Sequence, residues 1–268
     1  MIATARSRSG LKLAAWSLAA LALLGVLLLV LAPASWAWQW FGAGRAPVVL
    51  EGISGSVWNG RAERWIVRGV ALGSLRWQLA PGALLRGNLS GTLAADGDQV
   101  NGKLAFFGID QRWTLSQIEG RFPALLLAPA LDIPGVRLGG TVLLSFPQVQ
   151  LVDGRLIGAD GSARWQPLEV IGTRPLSLPG LRLEARSRDG VGIDATVADL
   201  GGPLSISGEL RSDGVDFSAD IALRAREPSD DLRQALALVG QPQADGSTRL
   251  RIEGQFQPLT ESVHAGTR

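Results

Sequence analysis

The chain has 268 residues, with 26 basic and 24 acidic side chains, nine tryptophans, one histidine, no tyrosine and no cysteine. The missing cysteines exclude disulfides, thiolate metal sites and cysteine nucleophiles together. Once Arg6, Arg8 and Lys12 are set apart at the N-terminus, 23 basic residues face 24 acidic ones, a balance that gives no electrostatic grip on nucleic acid.

The first element is an apolar run from Leu13 to Leu31, in which Ser17 is the most polar residue. As a helix it would be roughly 28 Å long, the hydrocarbon thickness of a bilayer. The three basic residues before it place the N-terminus in the cytoplasm and send the rest of the chain across the membrane. Pro33 marks the helix end, and Trp36, Trp38, Trp40 and Phe41 form an aromatic belt suited to headgroup depth. The organisation read from this is a cytoplasmic start over 1–12, a transmembrane helix over 13–35 and an exit linker over 36–47. A periplasmic β-rich domain over 48–257 and a loose tail over 258–268 complete it. The alternative is a cleaved signal peptide, for Ser35 and Ala37 are spaced like a cleavage site. Its apolar core, however, would exceed the usual length of about 7 to 15 residues.

From residue 48 onward the pattern is apolar-polar alternation between glycine turns, which predicts half-buried strands and an all-β, mostly antiparallel domain. Strands are expected at Val48–Leu50, Leu75–Leu79, Leu89–Ala95, Val100–Phe107, Gln111–Leu115, Ile118–Phe122 and Val136–Phe146. Further ones are expected at Val149–Ile157, Leu181–Ser187, Ile193–Ala198, Leu204–Arg211, Val215–Leu223 and Arg249–Phe256. Tight turns are expected at Asp96-Gly97, Asp153-Gly154, Asp160-Gly161, Asp189-Gly190 and Asp213-Gly214, dipeptides that tolerate positive φ. The apolar, proline-bounded stretch Pro123–Pro134 predicts a short helical turn or a buried loop. One helix is expected from the cap Ser229 through Asp230, Asp231, Leu232, Ala235, Leu236 and Val239 to Gly240.

Two internal echoes are visible. Gly73-Ser74-Leu75-Arg76-Trp77-Gln78 returns as Gly161-Ser162-Ala163-Arg164-Trp165-Gln166, and Ser90-Gly91-Thr92-Leu93 returns as Ser207-Gly208-Glu209-Leu210. They outline two candidate repeats, 48–122 and 136–225, forming an extended or curved sheet.

Catalytic constellations are wanting. His264, the sole histidine, lies in the tail, where no fixed geometry is offered to a general base. Asp213, Asp216 and Asp220 could pair as carboxylates, but Asp216 and Asp220 share the polar side of a strand, as solvated residues do. Lys103 lacks any partner motif for a Ser-Lys dyad, Gly139-Gly140 and Gly201-Gly202 lack phosphate-loop context, and Asp230-Asp231 suits a helix start better than a metal. The expectation is no enzyme, no catalytic, cofactor-binding or metal site, and no cofactor. Trp58, Trp65, Trp77, Trp113 and Trp165 are expected mainly in the core, with an apolar groove or interface as the alternative.

The segment Gly52–Trp65, GISGSVWNGRAERW, followed by Leu75-Arg76-Trp77-Gln78-Leu79 and Leu85-Arg86-Gly87-Asn88-Leu89, resembles the type II secretion system protein N family. Gly202-Pro203-Leu204-Ser205-Ile206-Ser207-Gly208 resembles it too. The resemblance implies a single-pass protein of the bacterial inner membrane, acting in export of folded proteins across the outer membrane. Its partners would be other secretion subunits of the inner-membrane platform or pseudopilus. The residues around Gly55–Trp65 carry the strongest signature, and Gly55 and Gly60 can equally be a bulge and a turn that let Trp58 pack inward. The runner-up is an AsmA-like periplasmic lipid-binding or lipid-transfer protein, which would hold acyl chains on an apolar sheet face.

Overall fold

The computed structural model describes residues 32–39, 48–67, 69–127, 137–171, 176–188, 192–226 and 240–255. Two sheets are formed. A small one has the order β1 (Val48–Glu51), β4 (Arg64–Val67), β5 (Val70–Ala71). The large one is 15-stranded and starts with β2 (Ser54–Gly55), β3 (Asn59–Ala62), β6 (Ser74–Leu79), β7 (Leu89–Asp96), β8 (Asn101–Ile109) and β9 (Arg112–Pro123). It continues through β10 (Arg137–Val152), β11 (Arg155–Ile171), β13 (Leu181–Ser187), β14 (Ile193–Asp199), β15 (Leu204–Ser212) and β16 (Asp216–Ala225), and ends in β18 (Thr248–Gln255) and β17 (Gln241–Pro242). The short β12 (Leu176–Leu178) pairs with β11 beside this path.

Each pairing is antiparallel, and from β6 to β11 every strand lies next to its successor in sequence. That is the meander expected when short turns join consecutive strands. The all-β, antiparallel reading therefore holds. Register then sorts the side chains. Trp77 faces Leu93, Leu93 faces Leu104, Phe106 faces Leu115, and Leu115 faces Val149, so one face is apolar across β6 to β10. Trp165 faces Leu181, Ala195 faces Leu210, and Ile221 faces Leu250, which carries the same face to β18. Polar residues alternate onto the other face, as period two requires.

Four expectations are corrected. The breaks expected at 115/118 and 146/149 do not exist, for β9 and β10 run through them. Gln117 takes φ 53°, and the ladders shift register between Lys103 and Ala105 and between Ser145 and Gln148. A β-bulge inserts one residue and keeps Trp113, Leu115, Ile118 and Phe122 on one face. In sequence that one-residue change of phase looks like a chain break. Asp160-Gly161, expected as a turn, lies inside β11 for the same reason, opposite the β10 bulge. Asp153-Gly154 is a turn, with φ 53° and 74°, and it divides the single strand expected over Val149–Ile157 between the end of β10 and the start of β11.

The stretch after Pro123 forms a 3-10 turn at Ala124–Leu127, with Ala124 fully buried. The helix expected over 229–239, the Asp189-Gly190 turn, the apolar run 13–31 and the tail 258–268 lie outside the described residues. Within 32–39, Pro33 bridges Ser56 and Ala34–Ala37 makes one helical turn. Among the described residues no helix is long and apolar enough to cross a membrane. The echoed segments lie on neighbouring strands in the first instance, β6 and β7. In the second they lie on β11 and β15, with β13 and β14 between them.

The core is thin. Leu168, Leu178, Leu204, Ile206 and Leu223 form one buried cluster, backed by Trp165 and Leu181. Ala159, Ala185, Ile193 and Ala195 form a second, and Ala124, Leu138 and Val142 a third. Most other apolar residues on that face are half-buried.

Candidate interaction surfaces

The segment with the strongest family signature folds into the edge of the large sheet. Ser54 and Gly55 pair with Arg61 and Gly60, and β3 then pairs with β6. Gly55 has φ 84°, a left-handed conformation that suits glycine. Gly60 faces Trp77, and a Cβ on it would fall within the indole ring. The Trp77 Nε1–H donates to the Val57 carbonyl at 3.0 Å, and the Leu79 N–H donates to the Trp58 carbonyl at 2.7 Å. Gly60 therefore makes room for Trp77, not for Trp58 as the sequence suggests. Trp58 is half-buried in the turn between β2 and β3.

The Gly60–Trp77 contact has counterparts. Gly108 faces Trp113, where an added Cβ would stand 2.7 Å from the ring, and Gly254 faces Phe217 at the same separation. Gly91 faces Phe106 at 3.0 Å. In each pair an aromatic ring lies down on the bare backbone of the neighbouring strand, the cross-strand arrangement that compensates a glycine in a sheet. Trp165 also donates its Nε1–H to a carbonyl, that of Gly139 at 2.8 Å, but its register partners are Val142 and Leu181 and not glycine.

The opposite face carries charge in pairs. Lys103 meets its register partner Glu119 at 3.1 Å, and Arg76 meets Asp96 at 3.2 Å. Asp220 receives Arg249 through two 2.6 Å hydrogen bonds and Arg251 at 3.5 Å. The Arg249 guanidinium, first by hydrogen bond, holds the Asp220 carboxyl below the ordinary range. Asp213 is lowered by the N–H groups of Val215 and Asp216, which it accepts to close the β15–β16 turn. A general acid needs the opposite shift. Asp216 lies at the strand start with its N–H on Asp213, and Lys103 sits exposed in its ion pair. His264, Asp230 and Asp231 lie outside the described residues, among which no three His, Cys, Asp or Glu side chains are grouped to hold a metal.

One constellation has no local signal in the sequence. Asp199, its side chain 8% exposed, accepts from the Gly201 N–H and the Ile206 N–H at 2.8 Å each and from Arg226 Nη2 at 2.7 Å. Arg226 Nη1 also donates to the carbonyls of Gly202 and Leu204. Burial alone would raise this carboxyl, but the Ile206 N–H, Arg226 and the Gly201 N–H together hold it below its ordinary value. The pair ties the β14–β15 turn to the end of β16. Gly202-Pro203-Leu204-Ser205-Ile206, noted for its family likeness, is the turn so held.

A family model described as Type II secretion system (T2SS), protein N, matches residues 46–251. The chain belongs to that family, and so to the proteins of type II secretion. No curated protein and no solved structure matches it.

Proposed function

We propose that this protein is an accessory, non-catalytic component of a type II secretion system, anchored in the bacterial inner membrane by the run Leu13–Leu31 and working through protein-protein contacts in the periplasm. The observation that carries the reading is the extent of the family match. It begins before β1 and ends within β18, so the match takes in the small sheet and nearly all of the large one. The pairing of charges across strands supports it, since such a surface selects partners by complementarity. The test is photo-crosslinking from native membranes, with a crosslinker at the exposed Arg64 and Arg211. Recovery of platform or pseudopilus subunits is expected. Recovery of phospholipid alone would overturn the reading.

A second reading, periplasmic lipid binding or transfer in the AsmA manner, is favoured by one observation. The apolar face runs unbroken from β6 to β18 and stays half-buried over most of its length. Acyl chains would lie along it. Phospholipid retained stoichiometrically after detergent exchange would mark this reading, and its loss would remove it.

A further inference from the structure

The antiparallel path gives the large sheet two rims of strand ends. One rim carries the ends of β6 and β8 and the starts of β7 and β9. The chain that follows the apolar run enters at this rim, since the Val57 N–H donates to the Ala32 carbonyl at 3.0 Å and Pro33 bridges Ser56. Trp58 and Leu79 join there through the hydrogen bond already described.

The same corner collects exposed apolar side chains. Leu84 and Leu85, in the connection from β6 to β7, are 47% and 90% exposed. Phe107 and Ile109, at the end of β8, are 44% and 42% exposed, and Trp36 is 68% exposed. These are five of the ten most exposed large apolar residues among those described, so the corner is enriched, although Leu125 and Leu200 lie on the other rim. Arg86 and Arg112 flank the group, with Asp110 beside Ile109, all exposed.

We propose that this rim rests in the headgroup region of the bilayer, with Leu84, Leu85, Phe107 and Ile109 dipping toward the acyl boundary and the strands rising away from the membrane. The inference rests on the anchored reading above. Exposed apolar side chains beside tryptophan and arginine are the composition that partitions into that interface. Alone, so small a patch would bind weakly. Fixed at the point where an anchor leaves the membrane, it meets lipid at high effective concentration.

The absence of cysteine allows single labels. Full-length chains carrying Leu85→Cys, Ile109→Cys or Leu200→Cys would each bear an environment-sensitive fluorophore. They would be reconstituted in phosphatidylcholine and phosphatidylglycerol vesicles containing headgroup-nitroxide lipid. Quenching at 85 and 109 is expected to exceed that at 200 several-fold. Equal, weak quenching at all three in chains that float with the vesicles would overturn the rim contact and leave the anchor standing. Chains that fail to float would overturn the anchor and the rim contact with it. Shielding of position 85 in native membranes without quenching in vesicles would assign the corner to a protein and overturn the lipid assignment.

Discussion

Between β3 and β9 the apolar face is made of rings laid on glycines, with Trp77 on Gly60, Phe106 on Gly91 and Trp113 on Gly108. Between β11 and β16 it is made of interlocked aliphatic side chains, with Leu168, Leu178, Leu204, Ile206 and Leu223 buried together. The first arrangement depends on pairs, each needing only one neighbouring strand. The second is many-bodied, since β11, β12, β15 and β16 all contribute to one cluster. A meander places both within reach of local contacts, so the two regions should respond separately to damage.

The largest effect is expected where the packing is shared. Leu178 is 1% exposed, and Leu178→Ala should cost about 2 to 5 kcal/mol, read as a fall in the denaturant midpoint. Hydrogen exchange should localise the loss to β11 through β16. In the other region, Gly60→Val forces a side chain into the Trp77 ring and should cost about 1 to 3 kcal/mol. Its signature is local. Trp77 fluorescence should shift, while exchange in β14 to β16 stays as in the wild type. If both variants loosen the whole sheet equally, the two regions are one cooperative unit.

The strands that carry this contrast are largely legible in the sequence. The rhythm Leu75, Trp77, Leu79 gave β6, and Val215 to Leu223 gave β16 nearly to the residue, because a half-buried strand writes its burial into alternate positions. The bulges hid in the same rhythm, since a single added residue reads as two strands meeting. The strands between Ser54 and Ala71 leave no rhythm in the sequence, for at two and four residues they are too short to show a period. Asp199 and Arg226 are 27 positions apart, and only the folding of β14 to β16 brings them together. The shared role of Gly60 and Trp77 was likewise invisible, because register pairs them and sequence distance does not.

The Asp199 tie is the next effect in size. Asp199→Asn keeps the shape but removes the charge that Arg226 and two N–H groups address, at an expected cost of about 1 to 2 kcal/mol at neutral pH. The pH dependence follows from the lowered carboxyl. Its contribution is present above the ordinary aspartate value of 3.8 and is lost as pH falls through the lower folded value. The wild type should therefore lose stability in that acid range more steeply than Asp199→Asn. Parallel acid limbs would mean that the charge of Asp199 does not hold the turn.

The smallest effect tests whether the paired charges of the polar face hold the sheet or only decorate it. Lys103 and Glu119, in the ring-on-glycine region, are 64% and 61% exposed, so water screens their attraction. Arg249 grips Asp220 with two bonds at the far end of the sheet, yet it too is 55% exposed. A double-mutant cycle on Lys103 and Glu119 should return a coupling below about 0.5 kcal/mol that vanishes in high salt. A coupling well above that would mean the polar face contributes to folding in the region where the core is thinnest. A negligible one leaves those charges free to serve a partner, because breaking their mutual pairs to meet another protein would cost the fold almost nothing.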